Sequence, residues 1–487
     1  MKGTLYSAIN RQASLSAMKC LADVTSEKKR QELEREGYAF GFTAKSWAKR
    51  FHGINPRYIL CTKSEVLPSE LYYYDSERYI CFAMHIFGGQ ILEIGKRPYE
   101  EVLREEIQKK RVLFEQHEYL KLLLPIASEQ TGNIVMAVLR QMLEHEEPNP
   151  DLFSAAISVY TLCDCGAQVL GTKAIERLSL CKSEEQKSNT AKALADFPDE
   201  ITVYRGEASE STPHTEACSW TTSEETAFFF AGWRSDDNSN LFEGKVSKSD
   251  VIEYITDRNE HEIIVPAGKV YSVKRTPLLG LKSLRPLVQP TMFDDDYPFP
   301  ECSYPSDILA DTQELYSNID VEDHGVDHPL RVTLLSSFLY RLVVLEPLYE
   351  TENHRRYYEA LPIYEALIRA AEYHDSGRWD NMPGDTHGAA GYERYQEDLG
   401  DDEVVKFLTT YHCKEDAEAH EYWESRFSGA DKDFIWTAYQ ILRDADALDR
   451  VRFGRQSEDY LKVSLLRLDE SKRIVPAAMQ LAISKLF

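Results

Sequence analysis

Three short motifs contain residue types that could act together on a dinucleotide. In chain order they are Tyr204-Arg205-Gly206, Ser219-Trp220-Thr221 and Glu260-His261-Glu262. Breaking a bond between nicotinamide and ribose needs a cation for the pyrophosphate, hydroxyls that position the ribose, and a carboxylate that stabilises positive charge on the sugar carbon. An arginine, a hydroxyl pair and a carboxylate pair together supply these groups.

The first two motifs are predicted on β-strands. The stretch 201–204 reads as a strand with Arg205 at its end, and Gly206 would let a ligand approach the backbone. Because side chains alternate along a strand, Ser219 and Thr221 would point to the same face. That face would be the ribose side.

The carboxylate pair is predicted on one face of a further strand. One residue separates Glu260 from Glu262, and the apolar run 263–265 follows them. Alternation along the strand would point both carboxylates the same way. Neighbouring carboxylates tend to take different pKa values, which suits them to different roles in one reaction.

At these residues the chain resembles the arginine-type mono-ADP-ribosyltransferases, whose signature is Arg, then Ser-x-Thr, then Glu-x-Glu. The resemblance covers about residues 120 to 290. It implies a split β-sheet core with a helical front lobe, NAD⁺ as co-substrate, and a protein target that carries an acceptor arginine. It also implies that Glu262 is the catalytic residue at the nicotinamide ribose and that Glu260 prepares the acceptor guanidinium.

The same resemblance implies two overlapping sets of site residues. The catalytic set is Glu262, Glu260, Arg205 and Ser219. The NAD⁺-binding set is Arg205, Gly206, Ser219, Thr221, Glu262 and an aromatic ring such as Phe229.

A second set of residues, all histidine or aspartate, lies downstream. It comprises His328, His374, Asp375, His387, His412 and Asp446. Apolar residues at helical spacing surround several of them, so the set is predicted on helices. Imidazole and carboxylate groups suit a divalent ion that activates water against a phosphoester.

This pattern resembles the HD-domain metal-dependent phosphohydrolases, an all-helical superfamily, over about residues 305 to 475. The resemblance implies a nucleotide or phosphoester substrate and a divalent metal ion, with Mn, Mg, Fe, Ni and Zn all open. The implied ligands of the basic site are His328, His374, Asp375 and Asp446. In two-metal members His387 and His412 would bind the second ion, and Asp375 would bridge both.

Three arginines are candidate phosphate clamps because a guanidinium matches phosphate oxygens in a bidentate way. They are Arg331, Arg378 and Arg450. An HD domain can also keep its metal ligands and serve as a nucleotide sensor, and that alternative stays open.

The length of 487 residues predicts two or three domains. The expected organisation is an α+β multidomain protein, in which an ADP-ribosyltransferase-type domain precedes an all-α HD domain. The predicted segments are a mixed α/β region at 1–115, the transferase domain at 116–285, a Pro/Asp-rich linker at 286–305 and the HD domain at 306–487.

The net charge of −25 argues against broad electrostatic binding of nucleic acid or an anionic membrane. Residues 301–487 contain 37 acidic and 20 basic side chains, so most of that charge lies in the predicted HD half. A phosphate substrate would therefore have to be attracted locally, by arginine and metal charge.

The nine cysteines are scattered, and the C-x-C pair Cys163 and Cys165 lacks the partners of a zinc or redox motif. This pattern predicts reduced thiols and a cytoplasmic protein. The N-terminus shows no apolar signal region, and no uncharged run reaches the roughly 18 residues of a membrane span. Delivery into a target cell by a non-classical route stays open.

Together these features predict an NAD-dependent mono-ADP-ribosyltransferase fused to a metal-dependent HD phosphohydrolase, the second activity processing or regulating the first. Two alternatives stay open. Transfer could go to nucleic acid instead of protein. The chain could also be an HD nucleotide hydrolase or sensor whose other half is a binding scaffold.

Overall fold

The computed structural model describes residues 15–63, 69–87, 90–91, 98–127, 132–163, 170–209, 211–233, 238–284, 312, 315–316, 325–378, 386–455 and 457–483. The predicted linker at 286–305 lies outside these residues.

The chain divides into two compact units. The first comprises Met1–Thr202, Thr212–Trp220 and Lys245–Tyr271, and the second comprises Val203–Ser211, Thr221–Gly244 and Ser272–Phe487. The domain bounds derived from the sequence stay a prediction.

The N-terminal part of the first unit contains a five-stranded antiparallel sheet. Its strands are β1 (Lys19–Cys20), β2 (Ile59–Cys61), β3 (Glu70–Asp75), β4 (Ile80–Phe87) and β5 (Gln90–Ile91), and each pairs with the next. Tyr72 and Tyr73 in β3 are buried, since aromatic side chains suit a packed sheet face.

Helices make up most of the remainder of the first unit. They are α1 (Glu27–Arg35), α2 (Ala44–Arg50), α3 (Tyr99–Glu115), α4 (Tyr119–Leu123), α5 (Gly132–His145), α6 (Pro150–Leu162), α7 (Gly171–Leu180) and α8 (Glu184–Ala193). Local signals set their ends: at α6, the Asn149 side chain accepts a hydrogen bond from the Leu152 N–H, and Pro150 is the first helical residue.

A second sheet follows these helices in the chain. It contains β6 (Glu200–Glu207), β7 (Ser219–Thr221), β8 (Asn238–Ser247), β9 (Glu253–Ile255), β10 (Glu262–Ile264) and β11 (Tyr271–Leu279), in the spatial order β11-β8-β6-β7-β10-β9. Helix α9 (Glu224–Trp233) connects β7 to β8. Strand β6 runs through Arg205 to Glu207, so it is longer than the predicted strand that ended before Arg205.

The C-terminal part of the second unit is helical. It contains α10 (Asp327–Tyr340), α11 (Glu346–Glu350), α12 (His354–Tyr373), α13 (His387–Leu399), α14 (Glu403–Tyr411), α15 (Asp416–Arg426), α16 (Lys432–Asp449), α17 (Asp469–Arg473) and α18 (Val475–Ile483). Helices α10, α12 and α16 pack against one another through buried apolar side chains. The α+β class is therefore confirmed, while the specific transferase and HD folds stay predictions.

One helical stretch among the described residues, Asp327–Glu350, is long and apolar enough to cross a membrane. It joins α10 to α11 through a π-helical turn at Arg341–Leu345. Of its most apolar window, 61% is buried inside the protein. Most of this window therefore packs inside the protein, and the stretch also contains His328.

Candidate functional site

The predicted metal residues come together in the helical part of the second unit. His328 lies in the first turn of α10, His374 and Asp375 directly follow α12, and His387 begins α13. His412 directly follows α14, and Asp446 lies in the last turns of α16. Their side chains form groups whose ligand atoms lie within 4.8 Å of one another: His328 with His374 and Asp446, His374 with Asp375 and His412, and His387 with His412 and Cys413.

Asp375 lies between two pairs of histidines and presents a different oxygen to each pair. Its Oδ2 is 3.5 Å from His328 Nε2 and 4.0 Å from His374 Nε2. Its Oδ1 is 3.3 Å from His387 Nε2 and 3.7 Å from His412 Nε2. Because the side chain is buried and its oxygens diverge, one carboxylate can serve two neighbouring cation positions.

Backbone contacts fix the rings of His374 and His412 in the same orientation. His374 Nδ1 is 2.7 Å from the Ala371 carbonyl oxygen, and His412 Nδ1 is 2.7 Å from the Thr409 carbonyl oxygen. A carbonyl oxygen only accepts, so each Nδ1 donates and each Nε2 of the neutral ring carries a lone pair. This is how metal-binding imidazoles are usually held.

The Nε2 atoms also face each other in pairs. His328 Nε2 is 3.2 Å from His374 Nε2, and His387 Nε2 is 3.1 Å from His412 Nε2. Two lone pairs that face each other repel unless a proton or a cation lies between them. The donor set of imidazole nitrogens and carboxylate oxygens therefore fits a divalent transition-metal ion at either pair.

A buried carboxylate outside the predicted set holds His328. Asp449 Oδ2 accepts from His328 Nδ1 at 2.8 Å and from Arg331 at 3.0 Å, while its Oδ1 accepts from Arg331 Nε at 2.5 Å. Arg452 donates to Oδ2 at 3.0 Å. The sequence offered one indication of this role: Asp449 is three residues after Asp446, and residues three apart share a helix face.

The burial and charge of the cluster set the pKa values of its histidines in opposite directions. Burial lowers the pKa of His374 to about 4, and burial with the nearby His412 lowers that of His387 to about 3. Burial also disfavours the charged form of His328, but hydrogen bonds with Asp375 and Asp449 outweigh it and raise its pKa to about 9. At neutral pH the first two rings are therefore neutral ligands, whereas a proton competes for His328.

The three candidate phosphate clamps have different surroundings. Arg378 lies at the cluster, with Nε 3.3 Å from Asp375 Oδ2 and a terminal nitrogen 3.2 Å from His387 Nε2. Arg450 is exposed and binds Asp459 on the surface. Arg331 is paired with the Asp449 carboxylate that holds His328, and its role as a phosphate clamp stays a prediction.

A second candidate site, in the first unit, is built around a buried glutamate. Glu262 begins β10, and its Oε1 accepts hydrogen bonds from the Ser219 hydroxyl and, at 2.5 Å, from the Tyr160 hydroxyl. Ser219 was predicted at this site, whereas Tyr160 was not. The sequence offered one indication of Tyr160: its hydroxyl lies on the otherwise apolar, buried face of α6.

The expectation that Glu260 and Glu262 share a strand face is wrong. Strand β10 starts at Glu262, and Glu260 lies at the end of a 3-10 turn, Asp257–Asn259. His261 has a left-handed φ of 49°, which interrupts the alternation of side chains between the two glutamates. Glu260 is nevertheless buried.

Gly206 in the second unit lies against helix α9. A Cβ at this position would clash with the backbone of α9, at the Ala227 carbonyl oxygen and the Ala231 nitrogen. The glycine therefore lets the helix approach β6, and its contact with NAD⁺ stays a prediction. The neighbouring Arg205 donates from Nε to Glu207 Oε1 at 3.1 Å.

The two other predicted NAD⁺-binding residues lie just before α9 and within it. Thr221 Oγ1 accepts from the Ser223 N–H at 3.0 Å in the turn that leads into the helix. Phe229 is half-buried and stacks near Trp233, with a ring distance of 5.1 Å, while the Arg455 guanidinium lies 4.9 Å from its ring centre. Both side chains thus have structural contacts within the second unit.

Comparison of the chain with protein-family models, with curated proteins and with solved structures gave no match. The two family resemblances therefore rest on the motifs themselves. The residues and their geometry carry the functional argument.

Proposed function

We propose that the His/Asp cluster is the centre of a metal-dependent phosphohydrolase that acts on a nucleotide or phosphodiester. The observation that carries the proposal is the division of the Asp375 oxygens between two histidine pairs. A carboxylate that joins two cation positions is the arrangement found where two ions stabilise both the attacking and the leaving oxygen of a displacement at phosphorus.

Each cation position has its own proposed ligands. His328, His374, Asp375 and Asp446 would hold the first ion, and Asp375, His387 and His412 would hold the second. Ions at these positions would supply Lewis acidity and a lower pKa for water. The protein itself contributes the fixed orientation of each imidazole, through the Ala371 and Thr409 carbonyl oxygens and the Asp449 carboxylate.

Arg378 is the proposed phosphate contact. Its guanidinium lies beside Asp375 and His387, and its side chain is only partly covered, with 15% exposed. A planar guanidinium can bind two phosphate oxygens at once, which a lysine cannot do. It would thereby hold the substrate phosphorus against the cluster.

The test uses the full chain, stripped of metal and then supplied with Mn²⁺, Co²⁺ or Zn²⁺. Hydrolysis of a chromogenic phosphodiester and of a nucleotide panel is measured for the wild type, Asp375→Asn and, as a control, Asp459→Asn at an exposed ion pair. We expect metal-dependent turnover that only Asp375→Asn abolishes. Nucleotide binding with no turnover in any metal would favour the sensor alternative and contradict the proposal.

We also propose that Glu262 is the catalytic glutamate of an NAD-dependent mono-ADP-ribosyltransferase. The supporting observation is that two hydroxyls, from Ser219 and Tyr160, donate to one oxygen of this buried carboxylate. Such bonds orient an ionised carboxylate toward a developing positive charge, which is what departure of nicotinamide requires. The proposed acceptor is an arginine on a protein target, with nucleic acid as the alternative.

Labelled NAD⁺ incubated with the full chain and a cell lysate tests this second activity. We expect Glu262→Gln to abolish labelling and NAD⁺ hydrolysis, and Glu260→Gln to lose transfer to protein while hydrolysis continues. Asp375→Asn serves as a control that should keep the label. Label in RNA or DNA instead of protein would support the alternative acceptor, and equal loss of both reactions in Glu260→Gln would contradict the division of roles.

If both activities exist, we propose that the phosphohydrolase processes or regulates the ADP-ribosyl product. Processing predicts release of AMP from the modified target, and this release should disappear in Asp375→Asn. Regulation predicts instead that labelling depends on a nucleotide added to the reaction.

A further inference from the structure

Cys413 lies beside the second histidine pair, and neither proposed activity uses it. Its sulfur and the ligand nitrogens of His387 and His412 all lie within 4.8 Å of one another. The side chain is half-buried and forms no disulfide. Its sulfur donates to the Thr410 carbonyl oxygen at 3.8 Å.

The same local arrangement occurs twice in the cluster. His374 directly follows α12, bonds through Nδ1 to the carbonyl oxygen three residues earlier, and is followed by Asp375. His412 directly follows α14, makes the same bond over the same separation, and is followed by Cys413. Each helix end therefore presents an oriented imidazole and, at the next residue, a second group that can bind a metal ion: a carboxylate in one case and a thiol in the other.

We infer that the Cys413 thiolate is a ligand of the second cation, together with His387, His412 and Asp375. Such a set of two imidazoles, one carboxylate and one thiolate suits an ion that accepts sulfur, such as Zn²⁺ or Co²⁺, and disfavours Mg²⁺. Binding would form a metal–sulfur bond and release the thiol proton to solvent. The inference rests on the cation positions of the proposed phosphohydrolase.

Cobalt is a direct probe, because a thiolate bound to Co²⁺ gives a near-ultraviolet charge-transfer band that nitrogen and oxygen ligands do not give. The full chain is stripped of metal and titrated with Co²⁺ as the wild type, Cys413→Ser and Cys181→Ser. Cys181 is a matched control, since it is a buried free cysteine in the first unit, where its sulfur donates to the Arg177 carbonyl oxygen. Far-ultraviolet circular dichroism checks that each variant is folded.

We expect the band to appear in the wild type and in Cys181→Ser and to be missing in Cys413→Ser. The serine variant should bind one equivalent of Co²⁺ normally and the other at least about tenfold more weakly, since loss of even an outer-shell partner costs that much. A wild type that binds two equivalents without the band would overturn the inference. So would a band that Cys413→Ser retains, or weakening of both equivalents alike.

Phosphodiester hydrolysis is measured in the same samples, so that the role of Cys413 and the proposed phosphohydrolase are tested separately. A cobalt–thiolate band without phosphodiester turnover would leave Cys413 a ligand and contradict the proposed phosphohydrolase. Turnover without the band would support the phosphohydrolase and overturn the role of Cys413.

Discussion

The histidine cluster and the carboxylate site show two ways in which a fold can position reactive side chains. In the cluster, His374 and His412 each lie at a helix end and bond to a carbonyl oxygen three residues earlier, so the helix itself sets the ring orientation. At the carboxylate site, Glu262 is held by hydroxyls from other elements. A site built on helix ends is therefore more visible in the sequence than one built across elements.

The difference explains which expectations failed. All the predicted metal residues lie in the cluster. Glu260 does not lie on the predicted strand face, because His261 has a left-handed backbone conformation that interrupts the alternation. Gly206 packs closely against α9. The alternation of side chains holds only within a strand. The motifs that contain Gly206 and Glu260 do not indicate where their strands begin or end.

The largest expected effect is on the pH dependence of metal binding. Below its pKa of about 9, His328 must lose a proton before it can bind a cation, whereas His374 and His387, with pKa values of about 4 and 3, are already neutral. The apparent affinity of the first position should therefore rise about tenfold per pH unit from pH 7 and level off near pH 9. Competition with a chelator across this range measures it, and a flat profile would contradict the protonated His328.

Asp449→Asn tests whether a carboxylate that is distant in sequence is needed to orient a metal-binding imidazole. His328 takes its orientation from a carboxylate distant in sequence, so this variant should weaken metal binding at the first position by about 10–100-fold and leave the second position intact. Chelator competition with two resolved equivalents measures both. Asp459→Asn, at an exposed ion pair, is the control. Equal weakening of both positions would indicate general destabilisation instead of a lost positioning contact.

Gly206→Ala distinguishes packing from ligand binding on β6. The added methyl would meet the α9 backbone, so the free energy of unfolding should fall by about 2 kcal/mol. Gly325→Ala is the control, because a Cβ at Gly325 meets no atom within 4 Å. Denaturant unfolding followed by circular dichroism measures the difference. A variant of unchanged stability that binds NAD⁺ poorly would restore the ligand interpretation.

Tyr160→Phe is expected to have the smallest effect, confined to the carboxylate site. Removal of one hydrogen bond to an ionised carboxylate costs about 1.5 kcal/mol, so NAD⁺ turnover should fall about tenfold in kcat with little change in KM. Tyr38→Phe, which loses a hydroxyl bonded to the Ala17 carbonyl oxygen at 2.9 Å, is the control. If Tyr160→Phe raised KM and left kcat unchanged, the hydroxyl would bind substrate instead of orienting Glu262.

The sequence by itself determined the donor types of the His/Asp cluster and the helices that contain them. Apolar periodicity indicated the helices, and the paired His374-Asp375 marked a helix end, because these are local properties of a few consecutive residues. The strand of Ser219 was predicted for the same reason.

Only the tertiary structure decided which distant side chains meet. Asp449 reaches His328 across 121 positions, and Tyr160 reaches Glu262 across 102. The division of the Asp375 oxygens between two histidine pairs likewise depends on how several helices pack. Side-chain periodicity reports the face of an element on which a residue lies, but the partner on the facing element is set by packing, which no local pattern encodes.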